Sequence, residues 1–121
     1  MKIIQQKITL EELKKMAQKG FGNLVKAVVD IERGIMAVEA ELHADEEAIL
    51  IGKGSKQENL WGINLYPELS GKDFIEFDSM INLRPSFGNN NIGVDNPQTR
   101  EKIYQIVEKL IQNDFTASSV S

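Results

Sequence analysis

Leu24-Val-Lys-Ala-Val-Val-Asp-Ile31, then Glu32-Arg-Gly34, then Met36, Val38, Ala40 and Leu42 at every second position, is the stretch that decides the fold. Val25, Ala27, Val29 and Ile31 alternate with their neighbours, so they share one face of an extended chain. Glu32-Arg-Gly34 is short and carries the glycine that a tight connection favours. The two runs predict an antiparallel β-hairpin with its turn at Gly34.

Working towards the start, Ile3, Ile4, Ile8 and Leu10 offer a short edge strand or an extended arm. Thr9 followed by Glu12 is a capping-box spacing, and Leu10, Leu13 and Ala17 then recur at helical intervals, so a helix runs from there to Gly20. Working towards the end, Asp45 reads as an N-cap, with Glu46 and Glu47 in a first helical turn whose dipole favours anions. Ala48 to Ile51 continue that helix, and Gly52 and Gly54 stop it. Leu60-Trp-Gly-Ile-Asn-Leu-Tyr66 is a third strand closed by Pro67, and Phe74 to Leu83 a fourth. Phe87 to Gly93 is loop by composition. Asn96 caps a last helix with Pro97 at its first position, and Ile103, Ile106, Val107, Leu110 and Ile111 form its apolar stripe.

These elements predict an α+β fold in two layers. A mainly antiparallel four-stranded sheet, with a fifth N-terminal strand as an option, carries about three helices. Residues 1–115 are expected to form a single domain and 116–121 a frayed tail. With Val38, Phe77 and their neighbours facing the helices, strand parity puts Lys26, Asp30, Glu32, Glu39, Glu41, Asn64, Tyr66, Glu76, Asp78, Asn82 and Arg84 on the opposite face, with His43 continuing the parity of Glu39 and Glu41. Such a face is either a solvated outer surface or a surface for a partner or ligand.

Composition excludes several functions. The chain has 121 residues, 41% hydrophobic and 26% charged, within the range of globular proteins rather than disordered ones. It has no cysteine, hence no disulfide, thiolate nucleophile or cysteine zinc site. No apolar run approaches the ~20 residues that span a bilayer, and the start lacks the apolar core of a secretion signal. A soluble cytoplasmic protein is the expectation. Net charge is −4, and the seven acids and one arginine of residues 27–50 dominate it. An acidic chain is a poor match for phosphate backbones, so no nucleic acid partner is expected.

Glu39-Ala-Glu-Leu-His-Ala-Asp-Glu-Glu47 gathers five carboxylates around the only histidine. The lone His43 rules out zinc motifs that need two, and no Gly-x-Ser-x-Gly elbow supplies a nucleophile for it. A hard cation such as Mg²⁺, Mn²⁺ or Ca²⁺ accepts carboxylates, so Asp45, Glu46 and Glu47 are the candidate ligands. Helix capping accounts for the same three acids. Gly52-Lys-Gly-Ser55 lacks the first glycine of a phosphate loop, and Gly20-Phe-Gly22 lacks the third of a dinucleotide fingerprint, so no nucleotide cofactor is implied. A second candidate lies in Asn82-Leu-Arg-Pro-Ser-Phe-Gly-Asn-Asn-Asn91. There Arg84, Ser86 and Asn89 suit the gripping of a carboxylate or phosphate, or form a polar turn that satisfies itself.

Arg33-Gly-Ile-Met-Ala-Val38, Glu41-Leu-His-Ala-Asp-Glu-Glu47, Leu60-Trp-Gly-Ile-Asn-Leu-Tyr-Pro67 and Ile75-Glu-Phe-Asp-Ser-Met-Ile-Asn-Leu-Arg-Pro85 resemble a small prokaryotic family of uncharacterised proteins. The resemblance covers roughly residues 1–112. It implies a self-standing cytoplasmic domain and lends no catalytic residue. Two functions follow from the residues themselves. The first is a non-catalytic binding or interaction module using the polar acidic sheet face, self-associating as a dimer through unprotected sheet edges. The alternative is a small enzyme for a polar or anionic small molecule. In it His43 would move a proton, Asp45, Glu46 or Glu47 would hold a hard metal, and Arg84 would bind the substrate's charge.

Overall fold

The structure, a computed structural model, describes residues 1–112; the expected tail at 116–121 lies outside them. In chain order the elements are β1 (Lys2–Ile4), β2 (Ile8–Thr9), α1 (Leu10–Lys19), β3 (Val25–Asp30), β4 (Ile35–Val38), α2 (His43–Gly52), β5 (Leu60–Leu65), β6 (Ile75–Glu76), α3 (Pro97–Leu110) and β7 (Ile111–Gln112). Short 3-10 turns occupy Gln57–Asn59, Gly71–Phe74, Met80–Asn82 and Pro85–Phe87. The fold is α+β. Its main sheet is antiparallel and five-stranded, in the order β1-β4-β3-β5-β6, and β2 pairs with β7 in a separate parallel ribbon.

The hairpin forms as its alternation predicts, with Val29 opposite Met36 and Asp30 opposite Ile35. Its turn is held from inside. Asp30 Oδ1 accepts from the Glu32 and Arg33 amides at 2.9 and 3.0 Å, and Gly34 takes a φ of 69° that a residue with a Cβ would resist. The caps of α1 and α3 also form as read. Thr9 accepts from the Glu12 amide, and Asn96 accepts from the Gln98 and Thr99 amides.

Val25, Ala27, Val29, Met36, Val38, Trp61, Ile63 and Leu65 point to one face of the sheet, where α1 (Leu13, Met16, Ala17) and α3 (Ile103, Val107, Leu110) cover them. Parity assigned the other face to solvent or a partner, and here the structure corrects the reading. Leu50 of α2 packs there on Val28, Ile35, Ala37 and Leu60. Asp30 and Asn64 on that face are buried, as are Asn82 and Arg84, which bond to the β5 backbone at Gly62 and Leu60. Each is a polar side chain used inside the protein, so polarity at alternate positions did not mean exposure.

Three further expectations are corrected. The helix α2 begins at His43, not after an Asp45 cap; Leu42 occupies the cap position without a side-chain hydrogen bond. Pairing of β4 stops at Val38, because Glu39 adopts a φ of 70° and turns the chain out of the sheet before Ala40 and Leu42. The fourth strand is also far shorter than Phe74 to Leu83, with only Ile75 and Glu76 pairing. Beyond them Asn82 does the work of a strand with its side chain. Its Oδ1 accepts from the Gly62 amide at 2.8 Å, and its Nδ2 donates to the Gly62 carbonyl at 2.9 Å. Gly62 leaves room for this arrangement, since a Cβ there would stand 2.5 Å from the Ser79 side chain.

Candidate functional site

Glu39–Glu47 climbs from the end of β4 onto α2, and its acids part company on the way. Glu46 is fully buried. Its Oε2 accepts from the Ala40 amide at 3.1 Å, which pins the residue after the left-handed Glu39. Its Oε1 is buried with no hydrogen-bond partner among the described residues. Burial pushes its pKa up to about 9, against the smaller opposing effects of the Ala40 bond and the Lys26 charge. At neutral pH Glu46 therefore carries a proton. His43 is buried as well, with Nε2 2.8 Å from the Ile63 carbonyl. A carbonyl only accepts, so Nε2 bears the hydrogen. Burial lowers its pKa, the Ile63 bond opposes that, and the Lys26 charge adds to it.

Asp45 is exposed, and Glu47 is half-buried. Glu47 lies near Arg84, whose pKa burial lowers and the Glu47 charge raises. His43, Asp45, Glu46 and Glu47 thus face different surroundings. Among the described residues no three histidine, aspartate or glutamate side chains converge as a metal-binding set.

Arg84, Ser86 and Asn89 occupy the loop that leaves the Met80–Asn82 turn. Arg84 donates through Nη1 to the Gln57 carbonyl and through Nη2 to the Leu60 carbonyl. Its guanidinium lies 4.5 Å from the centre of the Trp61 ring and 5.9 Å from that of Phe87. Asn89 is the hub of the loop. Nδ2 donates to the carbonyls of Asn82, Asn91 and Gly93, while Oδ1 accepts from the Asp95 amide. Ser86 is exposed in the Pro85–Phe87 turn. A planar fork that meets two carbonyls and stacks on an indole is a role lysine does not fill. Arg84→Lys is expected to cost about 2–3 kcal/mol in a urea melt, from two charge-assisted bonds and a cation–π contact. Trp61 emission should shift to the red as its ring loses cover. A melt within experimental error of the wild type would remove Arg84 from the fold's framework.

This loop and the start of α3 enclose an open cleft of about 680 Å³, within the usual range for ligand sites. Trp61 and Phe87 wall it, Asn89 and Asp95 line it from the loop, and Gln98 and Thr99 from α3. Phe87 is 55% exposed. Trp61 is mostly buried, and its indole N–H has no acceptor among the described residues. Among the described residues, Asp95 is the one charged side chain in the lining. The loop's composition pointed to this region. The aromatic wall did not show in it, because Trp61 comes from β5, more than twenty positions earlier, and reads there as core. Gln98 and Thr99 read only as helix.

Fold and cleft together define an α+β protein with an aromatic-walled cleft at the edge of its sheet. The chain belongs to the family described as Protein of unknown function (DUF5674), whose model matches residues 2–110. No curated protein and no solved structure matches it. Among the described residues no helix is long and apolar enough to cross a membrane.

Proposed function

We propose that the protein is a non-catalytic binding module that seats an uncharged or cationic, ring-bearing ligand between Trp61, Phe87 and the start of α3. The observation that carries the reading is where its polar side chains are used. His43, Glu46 and Arg84 have the most chemistry to offer, and all three hydrogen-bond to the protein's own backbone. The open volume lies instead against aromatic rings, amides and a hydroxyl, the usual make-up of a ligand site. An anion suits it less. Asn96 already takes the Gln98 and Thr99 amides at the α3 terminus, and among the described residues Asp95 is the only charge in the lining.

Trp61 is the only tryptophan, so its emission reads the cleft directly. The test is a titration of wild type and Phe87→Ala with nucleosides, methyl glycosides and aromatic amides. The expected result is a saturable emission change with one class, weakened about tenfold or more by Phe87→Ala. Unchanged emission across the panel, or a response that Phe87→Ala leaves intact, removes the cleft as the seat.

Self-association is proposed through apolar side chains rather than sheet edges. The edge strands β1 and β6 are only three and two residues long, which leaves little ladder to extend. Ile49 and Ile51 of α2, with Met80 and Leu83 of the segment beside it, are exposed apolar groups. A scattering mass of 13.6 kDa at working concentration would rule the dimer out.

A further inference from the structure

A second, smaller cleft of about 210 Å³ opens between the C-terminal end of α1 and the connection from β4 to α2. That is the volume of roughly seven waters at ~30 Å³ each, enough for a small metabolite and too little for a chain segment. Met16 and Val25 give it a buried apolar floor, and the exposed Phe21 ring stands beside it. Its rim carries charges of both signs, Lys19 and Lys26 with Glu39 and Glu41. None of the four is in an ion pair among the described residues, where the only such pairs are those of Lys14 with Glu11 and Glu68. Lys26 is half-buried, its ammonium 5.0 Å from the centre of the Phe21 ring rather than on a carboxylate. Glu39 holds the left-handed backbone described above, and the Glu46 carboxyl fixes the next amide. Backbone held in a sparsely populated conformation at the rim of a cleft is a pattern of ligand sites.

Cations and anions that share a small cleft without neutralising each other match a ligand carrying both charges. A singly charged ligand would leave half of the rim uncompensated. We propose that this cleft binds a small zwitterion of the α-amino-acid class with an apolar side chain. Its carboxylate lies towards Lys26, its ammonium towards Glu41, and its side chain on the Met16–Val25 floor. The site is separate from the Trp61 cleft and does not depend on it.

The test is calorimetry with L-leucine and L-methionine, set against leucinamide, which lacks the carboxylate, and 4-methylpentanoate, which lacks the amine. Saturable binding of an amino acid is expected, weakened about tenfold or more by Lys26→Gln, by Glu41→Gln and by removal of either ligand charge. Phe87→Ala should leave it unchanged. Both substituted side chains are at least partly exposed, so the variants should fold, and the imidazole signals of the only histidine give a second readout. The Lys26 charge acts on His43, so a carboxylate seated on Lys26 should make His43 titrate higher. Absence of saturable binding by any apolar amino acid at millimolar concentration would overturn the proposal. So would binding that both Gln variants leave intact, or equal binding of leucinamide.

Discussion

Glu46→Gln is expected to be more stable than the wild type by up to about 5 kcal/mol at pH 8 and nearly equal to it at pH 4. In the folded protein the Glu46 carboxyl titrates at about 9, against 4.5 for the ordinary group. Between those values the folded chain holds a proton that the unfolded chain has released. Unfolding then releases that proton, and stability falls as pH rises, by up to ~1.4 kcal/mol per unit. Below 4.5 both states are protonated and the slope vanishes; above about 9 both are ionised and it ends. His43 acts in the opposite sense. Its pKa is lowered from 6.5, so its contribution is present above that value and is lost as pH falls. The Glu46 slope is therefore clearest between pH 7 and 9. Glutamine keeps an acceptor for the Ala40 amide and cannot ionise. Urea melts across pH 5–9 should show a declining stability for the wild type and a flatter curve for the variant. Parallel curves would mean that Glu46 is not held protonated by the fold.

Asn82→Leu is expected to lose about 2–6 kcal/mol, since two buried backbone groups lose their partner at ~1–3 kcal/mol each. The groups are the amide and carbonyl of Gly62, in the most central part of β5 left unpaired by β6. Asn82 also donates to the Phe77 and Ile92 carbonyls. It is fully buried, so water has no direct route to replace it. Asn82→Asp retains the acceptor for the Gly62 amide and sets a carboxylate against three carbonyls, so it should be worse at neutral pH than in acid. Against a total stability of ~5–15 kcal/mol for a domain, the leucine variant loses a large share, which a urea melt measures directly. A loss below about 1 kcal/mol would mean that the edge of β5 is held by something other than this side chain.

Local chemistry made the hairpin, α1 and α3 legible. Alternation, a capping box and an Asn-Pro helix start each act within a few residues. Asn82 marks where that kind of reading stops. Phe74 to Leu83 has the composition of a strand, yet a side-chain amide twenty positions from its partner replaces the ladder. The same limit applies to the polar sheet face. Nothing local tells whether Asn64 faces water or bonds to Glu76, as it does here at 2.8 Å. For the candidate sites, the loop from Arg84 to Asn91 and the run from Glu39 to Glu47 stand out in the sequence, and each lines a cleft with part of its length. Their partners Trp61, Phe21 and Lys26 come from other elements. The sequence shows them only as core, a helix end and one strand residue.

An amide-resolved NMR titration of the wild-type protein with the nucleosides, glycosides and aromatic amides separates a binding cleft from a catalytic acid cluster most directly. Ligand in the proposed cleft should shift the Trp61 indole N–H and the Gly88, Asn89, Gln98 and Thr99 amides, and leave His43 and Glu46 in place. Shifts centred on His43, Asp45 and Glu47, or no shift with any compound, would contradict the proposed binding site.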